Sequence, residues 1–104
     1  MGAYLHAMRV IAISPLRRFW QKHPATEIPL RAWYAEARRA LWERPADVKA
    51  NRRNVSILAN NRVVFNIKGN DYRLVVAMRY DKQIMFIRFI GTHAEYDRID
   101  ATTV

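Results

Sequence analysis

A chain of 104 residues has room for one hydrophobic core and no second. Its hydrophobic share of 51% and charged share of 26% are those of a folded chain, which excludes intrinsic disorder. It has no cysteine, so a disulfide framework, a thiol nucleophile and a cysteine-ligated zinc are excluded, and a reducing compartment suits it. No apolar run approaches the ~20 residues of a membrane helix. The start lacks the apolar stretch of a signal peptide, and His6 stands where a myristoylation site wants Ser or Thr. Lysine and arginine total 18 against 9 acidic residues, a net charge of +9, and 14 of the 18 are arginine. Residues 1–53 carry +7 of it and residues 54–104 only +2. An arginine-rich basic domain fits a polyanionic partner, nucleic acid or an acidic protein, since the guanidinium fork grips phosphate and stacks on bases. The plainer alternative is that the charge only keeps the protein soluble.

Residues 1–7 read as a leader, and residues 8–104 as one domain. The run over 8–13 is apolar and rich in β-branched residues, the pattern of a buried strand. Ser14 offers a cap and Pro15 a first helical position; Leu16, Phe19 and Trp20 share a face, and Pro24 stops the helix. Thr26 is the next cap. Leu30, Trp33, Tyr34, Ala37 and Leu41 then follow the i, i+3, i+4, i+7 stripe, with Arg31, Arg38 and Arg39 opposite, and Pro45 is expected to close this second helix. Residues 47–53 have the makings of one more helical turn.

The second half reads as a β-meander over 62–67, 72–79 and 84–90, with turns at 68–71 and 80–83. Thr92 and Glu95 form a capping box, so a short helix is expected near His93. The turn residues pair Ile67 with Tyr72 and Asn66 with Arg73. They also pair Val76 with Ile87, Val75 with Arg88 and Arg73 with Ile90. Phe65, Leu74, Val76, Met78, Ile87 and Phe89 then share the core face. The other face gathers Asn66, Arg73 and Arg88 beside Phe86. Arginines on central strands serve either as a phosphate site or as a solvated face whose stems cover apolar neighbours.

His93, Tyr96 and Asp97 follow the last strand directly. Histidine and tyrosine can move protons and arginine can neutralise a phosphate, the groups that metal-free RNA cleavage requires. The alternative is that Tyr96 packs the terminal segment on the sheet and His93 merely starts a helix. His6, His23 and His93 are scattered, no glycine-rich phosphate loop exists, and no metal site is expected.

From Met8 onward the chain resembles the HigB family of type II toxin–antitoxin toxins, within the RelE/ParE-like group. The likeness lies in Met8-Arg9-Val10-Ile11, in Leu16-Arg17-x-Phe19-Trp20 and in Leu30-x-x-Trp33-Tyr34. It continues through Asn61-Arg62-Val63-Val64-Phe65-Asn66-Ile67-x-Gly69-Asn70-x-Tyr72-Arg73-Leu74 and Ile87-Arg88-Phe89-x-Gly91-Thr92-His93-x-x-Tyr96-Asp97. The resemblance implies an α+β fold, two N-terminal helices packed on a small twisted antiparallel sheet, with a short C-terminal helix. It implies a cytoplasmic, ribosome-dependent mRNA endoribonuclease that cuts in the ribosomal A site through the 2′-hydroxyl, with no metal or cofactor. It also implies neutralisation by a HigA-type helix-turn-helix antitoxin. On that basis Arg73, Arg88, His93 and Tyr96 are the catalytic candidates. Asn66, Lys68 and Asn70 would position RNA, and Arg17, Arg18, Arg31, Arg38 and Arg39 would contact ribosomal RNA. The competing functions are a ParE-like gyrase inhibitor, and a non-catalytic RNA-binding module or inactive toxin relic.

Overall fold

The structure is a computed structural model, and it describes residues 8–104. The expected leader, residues 1–7, lies outside them. The chain is α+β. Strand β1 (Arg9–Ile11) leads to helices α1 (Ser14–Lys22) and α2 (Glu27–Arg39), with a 3₁₀ turn at Pro24–Thr26 between them. Helix α3 (Pro45–Asn51) and strands β2 (Ser56–Leu58), β3 (Arg62–Ile67), β4 (Tyr72–Arg79) and β5 (Ile84–Thr92) follow, and helix α4 is His93–Tyr96. The sheet order is β1-β5-β4-β3-β2. Strands β2 to β5 are antiparallel neighbours, but β1 lies parallel to β5, so the sheet is mixed where an antiparallel one was expected. The meander is present with an additional edge strand, β2. The strand expected over 8–13 shortens to three residues at the other edge.

The large core lies between the helices and one face of the sheet. Leu16, Leu30, Trp33, Ala37, Trp42 and Val48 meet Val63, Phe65, Leu74, Val76, Met78 and Met85 there, all buried. Trp33 meets the Phe65 ring edge-on at 5.4 Å and Trp42 stacks on it at 6.0 Å. Pro45 does not close α2. The helix ends at Arg39, where Ala40 turns extended, and Pro45 instead opens α3. The cause is Trp42. Leaving the helix puts its indole into the core, where Nε1 donates to Asn51 Oδ1 at 2.6 Å, and leaves Leu41 51% exposed. Burying the larger aromatic surface outweighs continuing the leucine stripe. Thr26 precedes α2 as expected, but its hydroxyl donates to the His23 carbonyl at 2.7 Å rather than capping the helix.

Ile67 pairs with Tyr72 and Asn66 with Arg73, as the turn residues predict. Val76 also pairs with Ile87, but a β-bulge at Val75/Val76 then shifts the register. Val75 faces Phe89 rather than Arg88, and Arg73 faces Gly91 rather than Ile90. The extra residue reverses the alternation of β5. Ile87 and Ile90 therefore both pack toward the helices, and Phe89 leaves the expected core face. It joins a second cluster with Val64, Val75, Tyr96, Ile99, Ala101 and Val104. The central strands are thus covered on both faces, by helices on one side and by the segment from α4 to Val104 on the other.

Candidate active site

The site grows out of the β3–β4 turn. Lys68 (φ 54) and Gly69 (φ 65) both take the left-handed conformation, which brings Asn70 back over the strand ends. Asn70 accepts from Asn66 Nδ2 at 3.3 Å through its side chain, and its carbonyl accepts from Arg73 Nη1 at 2.8 Å. The Arg73 guanidinium also reaches the Tyr72 carbonyl at 3.3 Å. Its stem rises from a central strand, so the head can reach the turn only along the face.

Helix α4 is fixed beside this turn. Thr92 and Glu95 make the complete capping box, with Thr92 N–H to Glu95 Oε1 at 2.8 Å and Glu95 N–H to Thr92 Oγ1 at 3.1 Å. The His93 amide donates to the Asp71 carbonyl at 3.1 Å, which ties the helix start to the turn. The consequence is that Tyr96 comes to lie under Arg73, with 6.0 Å between the guanidinium carbon and the ring centroid. The same ring packs on Phe89 at 6.5 Å. Tyr96 therefore does pack the terminal segment on the sheet, and it touches the arginine as well. His93 stands at the outer edge, half-exposed, with Nδ1 3.3 Å from Asp97 Oδ2.

Asn66, Asn70, Arg73 and Tyr96 are thus brought together, with His93 one helical turn away. Arg88 is not among them. The bulge turns its side chain to Val104, whose carbonyl accepts from Arg88 Nε at 3.1 Å and from Arg62 Nη2 at 2.6 Å. Phe86 lies opposite Ala77, toward the far end of β4 from Arg73, so the expected cluster of Asn66, Arg73, Arg88 and Phe86 does not form. Lys68 is exposed and 3.3 Å from Asp71. The basic residues of α1 and α2 belong to the helical layer, on the opposite side of the sheet. Arg17, Arg18 and Arg39 are exposed. Arg31 pairs with Glu27 at 2.8 Å and lies 4.9 Å from the Trp20 ring, and Arg38 lies 5.4 Å from that of Tyr34.

Sequence reasoning missed one neighbour. Arg52, Arg53, Asn54 and Val55 line a cleft of about 220 Å³ with Asn66 and Gly69. The adjacent arginines before an extended run were the signal for it, but nothing local says that they return to Asn66. The C-terminal segment is braced by Asp100, whose carboxylate accepts from the Thr102 hydroxyl at 2.6 Å and the Thr102 amide at 3.0 Å. The hydroxyl bond first, then the amide bond, hold this carboxyl below its usual range.

The chain is 29% identical over 93 residues to the mRNA interferase toxin HigB of Escherichia coli K12, covering 86% of this chain and 88% of that protein. Against the mRNA interferase HigB of Escherichia coli O6:H1 the identity is 22% over 94 residues, covering 88% and 91%. Residues 26–99, which include the turn, strands β3, β4 and β5 and helix α4, match the family described as HigB_toxin, RelE-like toxic component of a toxin–antitoxin system, and the chain belongs to that family.

Proposed function

We propose that the protein is an mRNA endoribonuclease acting on translated message in the cytoplasm, as the toxin of a toxin–antitoxin pair. The observation that carries this function is the Arg73 guanidinium held over Tyr96 beside Asn66 and Asn70. A phosphodiester laid there meets a cation, two amides and a phenol, and His93 stands one turn away. In the reaction the ribose 2′-oxygen attacks phosphorus and the bond to the 5′-oxygen breaks. The 2′-proton is removed, and a proton is delivered to the leaving oxygen. Arg73 neutralises the charge that builds on the phosphorane, and Asn66 and Asn70 hold the strand. Tyr96 and His93 are the proton-transfer groups. Arg88 would supply a second guanidinium only after leaving Val104, and Lys68 would supply its ammonium only after leaving Asp71.

The relatives in Escherichia coli are mRNA interferases, which supports the reaction. The toxin–antitoxin family supports a cognate antitoxin, for which we propose a HigA-type helix-turn-helix protein. Arg17, Arg18, Arg31, Arg38 and Arg39 line the opposite layer and would hold ribosomal RNA while message enters the site, with binding that weakens steeply in salt. Among the described residues no helix is long and apolar enough to cross a membrane.

The experiment is 5′-end mapping of a reporter mRNA within minutes of induction, with and without a translation block. New ends confined to translated message are expected, and Arg73→Ala removes them. Intact message with DNA damage would transfer the protein to gyrase inhibition. Intact message and normal growth would make it an inactive relic or a binding module.

A further inference from the structure

Arg52 and Arg53, between α3 and β2, are adjacent but differently employed. Arg52 donates to both oxygens of Glu36, at 2.6 and 3.2 Å, and its guanidinium lies 5.8 Å from the Phe65 ring. It braces the loop against the core. Arg53 is exposed and has no ion-pair partner among the described residues. It opens on the cleft shared with Arg52, Asn54, Val55, Asn66 and Gly69, where no carboxylate among the described residues lines the wall. At Gly69 a side chain would meet nothing within 4 Å, so the turn leaves open space there. Asn66 borders the cleft and also stands opposite Arg73 across the strands.

One unpaired guanidinium, a second one held by Glu36, and two amide side chains make a site for an oxyanion, and a backbone phosphate is the one that nucleic acid presents in series. The volume, about 220 Å³, suits one phosphate with its sugar. A stable protein interface needs about 800 Å² from each partner, far more than this cleft presents. We propose that the cleft binds the phosphate–ribose unit of the RNA strand next to the one at Arg73, with Arg53 as its cation and Asn66 as the shared wall. This rests on the nuclease function above.

The test titrates purified wild type, Arg53→Ala, Arg53→Lys and Lys82→Ala into cell-free translation of a reporter mRNA. Lys82 carries the same charge at the far end of β4. Arg53→Ala should need about tenfold more protein for half-maximal cleavage, the loss of one charged hydrogen-bonding contact, with the rate at saturation within about twofold. Arg53→Lys should recover part of the affinity, and Lys82→Ala should match wild type. Arg53→Ala titrating like Lys82→Ala overturns the cleft and leaves the nuclease standing. If wild type itself cuts nothing, the nuclease function falls. The cleft is then judged on binding of a fluorescein-labelled 2′-O-methyl RNA hexamer. Binding about tenfold weaker with Arg53→Ala retains it as a strand site, and equal binding removes it.

Discussion

Arg73 and Tyr96 sit on different elements, a central strand and the terminal helix, yet the guanidinium carbon lies 6.0 Å from the tyrosine ring centroid. The ring and the hydroxyl of Tyr96 therefore have separable jobs. Tyr96→Phe keeps the face under Arg73 and the packing on Phe89, so melting should hold. If the hydroxyl transfers a proton, cleavage should fall about 10²-fold or more. Tyr96→Ala should lose activity and melting temperature together. Unchanged cleavage by Tyr96→Phe would leave His93 to move the proton.

Gly91 faces Arg73 across the strands, and a methyl group there would stand 2.6 Å from the Phe89 ring and 2.9 Å from Glu95 Oε1. Gly91→Ala must displace the ring or the capping carboxylate. A loss of about 1–3 kcal/mol is expected in denaturant unfolding, the usual result of overpacking. Cleavage should weaken with it, because both neighbours position Tyr96. A variant as stable as wild type would show that Phe89 can move freely.

Trp42 and Leu41 are adjacent with opposite environments, 2% and 51% exposed. Trp42→Ala should cost about 3–5 kcal/mol by emptying the space against Phe65. Leu41→Ser should stay within about 0.5 kcal/mol. Chemical denaturation of the pair checks where α2 stops. Equal losses would return Leu41 to the core.

Asp100 is held ionised by Thr102. A carboxyl lowered in the folded state contributes stability at neutral pH, and that stability is lost as pH falls. The C-terminal cover should therefore loosen below about pH 4, the range where a free aspartate takes up its proton. Asp100→Asn should flatten that acid limb. The readout is amide exchange across residues 99–104 against pH. Identical limbs in variant and wild type would reject the brace.

Arg88 and Arg62 both donate to the Val104 carbonyl. Arg88→Ala should speed amide exchange at the chain end while reducing cleavage much less than Arg73→Ala does. Equal loss of cleavage by the two variants would require Arg88 to leave Val104 for the phosphate.

Much of this protein is written locally. Alternation and turn residues determined β3 and β4 and the pairing of Asn66 with Arg73, because a tight turn propagates its register residue by residue. Thr92 and Glu95 determined the start of α4, because a capping box acts within four residues. The end of α2, the bulge in β5 and the site's membership were decided elsewhere. Trp42 draws the chain out of its helix because burying an indole outweighs one exposed leucine. The bulge lets Ile87 and Ile90 share the helix-facing side while Arg88 stays outside. It thereby turns Arg88 to Val104 and sets Gly91 opposite Arg73. Arg53 reaches Asn66 only through the path from α3 to β2. These outcomes depend on contacts between residues far apart in the chain. Only closing the core could decide them, since local pattern carries no information about which distant surface will compete for a side chain.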